Sequence, residues 1–283
     1  MPSLSTLCAE ECALRKQRQW VRNAGLALKS WYSAYVESLL DRDIYNVYWK
    51  EDVLHVLSTN AVRGAWPLPN RPLPDWLQKP EFALEKSAVL LYKQCDLSLA
   101  VTHKVVEMFQ KSLDSPLKKV SILAVESPQT VCHMALHLCS GTETRNDQTS
   151  HVLLILQTLA DDEWALDITA AQYGITSVTH PKERYLTDEC VPGRIPIEYA
   201  ANVEWEALVR GASDGDEFQA LHVKAGRHFF EIVKAFMEEQ PEFLHLENGP
   251  FEESLMVSTA RVRSGMDKYH ACRCWANACV ILL

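Results

Sequence analysis

Cys95, His151 and Asp167 are the residues of this chain whose types and order suit covalent chemistry. A cysteine is a strong nucleophile only as thiolate. A helix N-terminus favours that form, because its unpaired amides and its dipole attract negative charge. Gln94-Cys95-Asp96 leads into a run from Leu97 to Lys111, in which Leu99, Val101, Val105, Val106 and Phe109 supply a buried helix face. The sulfur then needs a base, and the base needs a group that orients it. His151 opens a strand-like run after a polar turn, and Asp167 lies on the next such run. In Trp164-Ala-Leu-Asp-Ile-Thr169, alternation sends Ala165, Asp167 and Thr169 to one face. A carboxylate in mid-strand among apolar residues is costly unless paired, and His151 is the natural partner. Nucleophile, base and orienter in this order suit acyl transfer through a thioester. Gln94, or the backbone amide of Cys95, is the expected oxyanion donor. Gln172, in Ala170-Ala-Gln-Tyr-Gly174, serves either as a turn residue or as a donor in the same cleft.

A rival nucleophile stands in Val131-Cys-His-Met-Ala-Leu-His137. Cys132 lies in a strand-like run without helix-terminus activation, and alternation puts His133 and His137 on the opposite face from it. Those two histidines are expected instead to line the cleft beside His151, since neighbouring strands share a face.

These groups require a helix and a sheet to hold them. Leu7 to Leu40 has helical spacing and no proline, and Tyr45 to Leu57 suits either a strand or a short helix. Residues 63–80 hold Pro67, Pro69, Pro72, Pro74 and Pro80, a density that forbids regular structure. Trp66 and Trp76 are expected to pin this loop. Helical spacing resumes at Glu81. From Lys118 the period falls to about two. Lys119 to Val125, Thr130 to Cys139, Ser150 to Leu159 and Trp164 to Thr169 read as strands, and their short connections predict antiparallel neighbours in a meander. Beyond an irregular stretch, Asp214 starts a firm helix with Phe218, Leu221, Ala225, Phe229, Ile232 and Phe236 on its apolar face. Val257 to Val262 reads as a strand, and Ala271 to Leu283 as a strand or helix.

The 283 residues are expected to form one domain. It comprises an N-terminal helical segment (1–62), the proline-rich loop (63–80), a Cys-His-Asp core (81–178) and a helix-rich C-terminal segment (179–283). The net charge of −9 argues against wholesale nucleic-acid binding, although charge can still be local. Arg15, Arg18, Arg22 and Lys29 form one basic stripe at 100° per residue. It is either a solvated face or a surface for phosphate or carboxylate. An aminoacyl-tRNA donor would account for it, but the net charge disfavours one. No apolar run is long enough to span a bilayer, and the first residues lack the order of a secretory signal. Nine cysteines without such a signal are read as reduced thiols in a cytoplasmic protein. Cys272, Cys274 and Cys279 lack a second ligand pair, so no metal and no cofactor are expected.

A cysteine at a helix start, followed by an antiparallel meander carrying His and then Asp, resembles the transglutaminase-like branch of the papain-like cysteine superfamily. The Asp167-Ile-Thr169 context and the order of roles resemble that branch, and arylamine N-acetyltransferases share the order. The glycines those families often place beside the cysteine are replaced by Lys93-Gln94. The resemblance implies an α+β fold with a papain-like core and helical additions at both ends. It also implies Cys95 as nucleophile, His151 as base and Asp167 as orienter. The expected reaction is transfer of an acyl group, from a small-molecule or carrier-bound donor, to an amine. Hydrolysis by a peptidase or deamidase is the first alternative. An interaction protein that keeps the fold without the activity is the second.

Overall fold

The computed structural model describes residues 4–39, 44–58, 73–126, 130, 132–138, 140–146, 150–190 and 195–281. It is a mixed helix-and-sheet structure. A long helix, α1 (Leu4–Ser38), lies against a second long helix, α7 (Asn248–Ile281). Trp20, Val21, Ala24, Ala27, Leu28, Trp31 and Tyr35 recur at helical spacing on α1 and are buried. Trp31 stacks on Phe243 at 5.7 Å, and its indole N–H donates to Ser258 of α7 at 2.9 Å.

Two sheets stand beside these helices. The smaller contains β1 (Ile44–Lys50), β2 (Val53–Ser58), β4 (His133–Leu138) and β5 (Glu143–Arg145), in the order β1-β2-β4-β5. The larger contains β3 (Leu117–Glu126), β6 (Ser150–Thr158), β7 (Glu163–Leu166), β8 (Thr179–Pro181) and β9 (Ile197–Ala200), in the order β8-β7-β6-β3-β9. Every pair in the larger sheet is antiparallel. Its central strand β6 is buried on both faces. Val152, Leu154 and Leu156 join the main core with α1 and α3 (Cys95–Lys111). Leu153 and Ile155 pack with Tyr185 of α4 (Lys182–Asp188).

Three expectations are corrected. The meander is interrupted, because β4 leaves the larger sheet and pairs in parallel with β2, Val53 opposite His133. Short connections argue for neighbouring strands only when no other edge competes, and the β1–β2 hairpin offers that edge. Its turn residues, Glu51 and Asp52, both adopt positive φ (51° and 59°), the backbone that a two-residue hairpin demands. Next, the segments outside 81–178 are not mere helical additions. The N-terminal segment supplies β1 and β2, and the C-terminal segment supplies both edge strands of the larger sheet, β8 and β9. Finally, Val257 to Val262 is helical within α7. Phe251, Ser258, Val262, Met266 and His270 are buried along one stripe, so tertiary packing outweighs the local β-branched preference.

The remaining helices are α2 (Ala83–Leu91), α5 (Val203–Ser213) and α6 (Glu217–Glu239). Asp216 caps α6, accepting from the Gln219 amide at 2.9 Å. Phe218, expected on the apolar face, is exposed. In the proline-rich loop, Trp76 packs edge-on against Phe82 at 4.9 Å; Trp66, Pro67, Pro69 and Pro72 lie outside the described residues. Among the described residues no helix is long and apolar enough to cross a membrane.

One glycine fixes how α1 meets the sheet. A Cβ on Gly25 would stand 2.5 Å from Thr179 Cγ2 and 3.6 Å from Leu166 Cδ1. Gly25→Ala therefore forces Thr179 or the helix to move. The expected loss is about 1–3 kcal/mol of stability, read as a lower denaturant midpoint at unchanged slope.

Candidate active site

Cys95 is the first residue of α3. Helix α2 ends at Leu91 and the chain reverses through Tyr92, Lys93 and Gln94. Lys93 carries the reversal with φ of +55°, the left-handed conformation that glycine adopts without strain. A lysine thus does here what the missing glycine would do. Its backbone amide donates to Gln172 Oε1 at 3.0 Å, and the Gln94 carbonyl accepts the Ser98 amide at 2.7 Å as α3 begins. Cys95 is half-buried, with Sγ 3.8 Å from Asp96 Oδ1.

His151 is the second residue of β6, and its ring is fully buried. Nε2 lies 2.7 Å from Asp167 Oδ2. Nδ1, the other ring nitrogen, is buried without a hydrogen-bond partner. Burial disfavours charge on this imidazole. The Asp167 carboxylate outweighs it, with a smaller contribution from the neighbouring Cys95 sulfur, and holds the His151 pKa above its ordinary value. Tyr173 closes over the ring edge-on at 4.8 Å.

Asp167 is also fully buried, but β7 stops at Leu166, so it follows the strand rather than standing within it. Its amide donates to the Val178 carbonyl at 2.8 Å. Oδ1 accepts from the Thr169 amide at 3.0 Å, which gives the Asp-x-Thr spacing a physical reason: the carboxylate caps its own turn. Oδ2 also accepts from the Tyr185 hydroxyl at 2.9 Å. Burial would raise the carboxyl pKa, but His151, Tyr185 and the Thr169 amide together lower it.

The other named residues separate. Gln94 is buried, and its Oε1 accepts from Tyr32 of α1 at 3.1 Å. Gln172 holds the Lys93 amide with Oε1, while its Nε2 is buried and unpartnered. His133 and His137 stand on the smaller sheet, not on the sheet that holds His151. His137 Nε2 pairs with His55 Nδ1 at 2.7 Å, and the two rings stack. This corrects the expectation that they share the His151 cleft, and the cause is the departure of β4. Cys132 is buried, which pushes its thiol up to about 11. Arg15, Arg18 and Arg22 border a groove against residues 176–179. Lys29 is half-buried one stretch further along α1. Burial lowers its pKa, and the charge of Asp167 partly offsets that. Among the described residues no cluster of metal-binding side chains occurs.

Several residues at the site gave no signal in the sequence. Tyr185 and Tyr173 reach the His–Asp pair from a short helix and a turn with no distinctive spacing. Tyr199 of β9 and Glu204 of α5 stand on the Cys95 side, near Asp96; the Tyr199 hydroxyl donates to Glu204 at 3.2 Å. Glu204 is held above its ordinary pKa, by burial first and by the charge of Asp96 second. No known protein family, curated protein or solved structure matches the chain.

Proposed function

We propose that this protein transfers acyl groups to amines through a thioester on Cys95, on a transglutaminase-like core. The observation that carries the reading is the buried His151–Asp167 pair at 2.7 Å, whose imidazole also feels the sulfur of a cysteine at a helix start. Burying two charges is expensive, and an apolar pair of similar size is often as stable. Buried, paired groups with shifted pKa values mark functional sites.

The proposed reaction runs as follows. The Cys95 thiolate attacks the acyl carbonyl and forms the carbon–sulfur bond. His151, as imidazolium, gives its proton to the leaving group. The neutral imidazole then takes a proton from the incoming amine as that amine attacks the thioester. Carbon–sulfur cleavage returns the thiolate beside imidazolium. Asp167 holds the ring and stabilises its charged form, with Tyr185 and Thr169 fixing the carboxylate. Gln172 Nε2, anchored through Oε1 to the turn before Cys95, and the amide of Cys95 are the proposed oxyanion donors.

Asp96, beside the sulfur, and Glu204, whose carboxyl feels the Asp96 charge, favour a cationic amine as acceptor. Glu204→Gln is expected to raise KM for cadaverine up to about fivefold while KM for neutral hydroxylamine stays unchanged. Equal shifts for both acceptors remove Glu204 from acceptor binding. The test of the reaction is intact mass after incubation with p-nitrophenyl acetate. The expected result is one acetyl group on Cys95 that discharges faster to cadaverine than to water. Discharge to water alone supports hydrolysis, and no adduct on Cys95 supports a non-catalytic protein.

A further inference from the structure

We infer that the groove between α1 and residues 176–179 binds an organic anion, a phosphate or carboxylate group carried on an apolar body. Its volume is about 530 Å3, the size of small-molecule sites. Arg15, Arg18 and Arg22 line one side. Their spacings of three and four residues put like charges on adjacent turns, which by itself destabilises a helix. Little among the described residues offsets this. Arg18 has one carboxylate, Asp162, at 3.6 Å, with the arginine largely exposed and the aspartate half-buried. Among the described residues, Arg22 Nη1 reaches only the neutral Asn248 Oδ1, at 3.3 Å. The Arg15 guanidinium makes no hydrogen bond or ion pair among the described residues. Three arginines with one carboxylate partner among the described residues are thus concentrated in one groove of a protein whose net charge is −9.

The opposite wall suits the rest of such a ligand. Trp164 offers apolar surface there, Ser177 stands beside it with its hydroxyl donating to the Thr179 carbonyl at 3.1 Å, and Leu26 adds apolar surface from α1. Planar guanidinium groups bind phosphate and carboxylate through paired N–H donors, and three along about 10 Å of helix can share one anionic head. Gly25 keeps this arrangement close, because any side chain there would push Thr179 away from α1. Lys29 does not line the groove, so the stripe read from the sequence divides into an arginine groove and a half-buried lysine.

The site does not depend on Cys95 chemistry, and its test does not use activity. Phenyl phosphate and benzoate are titrated separately into the full-length protein by calorimetry, in low-salt buffer free of phosphate. The expected result is saturable one-site binding of at least one of them, weakened about tenfold or more by Arg18→Glu with Arg22→Glu. The charge-matched pair Lys224→Glu with Arg227→Glu, on the exposed face of α6, should leave the affinity unchanged. Phenyl phosphate alone binding assigns a phosphate ester, and benzoate alone assigns a carboxylate. If the double reversal unfolds, Arg22→Gln, which can still bond Asn248, should weaken binding several-fold. The inference is overturned if neither probe saturates, or if the α6 pair weakens binding as much as the groove pair.

Discussion

Cys95→Ser abolishes the covalent acyl adduct and leaves the circular dichroism spectrum unchanged. The hydroxyl is smaller and far less acidic than the thiol, so the helix start and His151 cannot supply the anion that attacks. The wild-type companion experiment is limited alkylation with iodoacetamide at about pH 6.5, followed by peptide mapping. Cys95 should be labelled first, because it is half-buried at a helix N-terminus with an imidazolium beside it. Cys132 and Cys190 should lag, since burial pushes both thiols up to about 11. His151→Ala should slow labelling of Cys95 while leaving the exposed Cys12 and Cys272 at their own rates. Labelling of Cys132 before Cys95 moves the nucleophile to the smaller sheet. Uniform slow labelling removes the enzyme reading.

Asp167→Asn cuts acyl transfer by about 1,000-fold or more while the protein still folds. The amide is nearly isosteric and can keep the Tyr185 and Thr169 contacts, but it cannot stabilise an imidazolium. Asp167→Ala should be harsher on stability, by about 3–5 kcal/mol, because it leaves a buried histidine without its partner. The pH dependence of the wild-type advantage over Asp167→Asn follows from the two shifts. Asp167 has a lowered folded pKa, so its contribution is present above the unfolded value of about 3.9 and is lost as pH falls through the folded value. His151 has a raised folded pKa, so its contribution is full below about 6.5 and is lost as pH rises through the folded value. The advantage should therefore peak between about pH 4 and 6.5 in urea unfolding. A difference that keeps rising from pH 7 to 10 would show that the histidine is not charged in the native pair. Unchanged turnover in Asp167→Asn would take the carboxylate out of the mechanism.

What was legible in the sequence was local. Helical spacing from Leu99 to Phe109 marked α3, and a cysteine before its first apolar residue was bound to lie near the start. The two-residue period marked β6 and β7, and the cost of burying Asp167 pointed to a histidine nearby. These inferences need only a few neighbouring residues and the price of an unpaired charge. The tertiary structure decided what depends on distant pairing. β4 has the same alternation whether it joins β6 or β2, so only competition between sheet edges sends His137 to His55. Tyr185 and Tyr173 reach the His–Asp pair because α4 and the turn at 170–173 fold back over it, and nothing in their own spacing records that contact. Val257 to Val262 looks like a strand alone and is helical because α1 gives Ser258 and Val262 a surface to cover. The arginine stripe was visible as a periodicity. That it faces Ser177 and Trp164 across a groove, while Lys29 turns inward within reach of the Asp167 charge, follows from how closely Gly25 lets α1 approach the sheet.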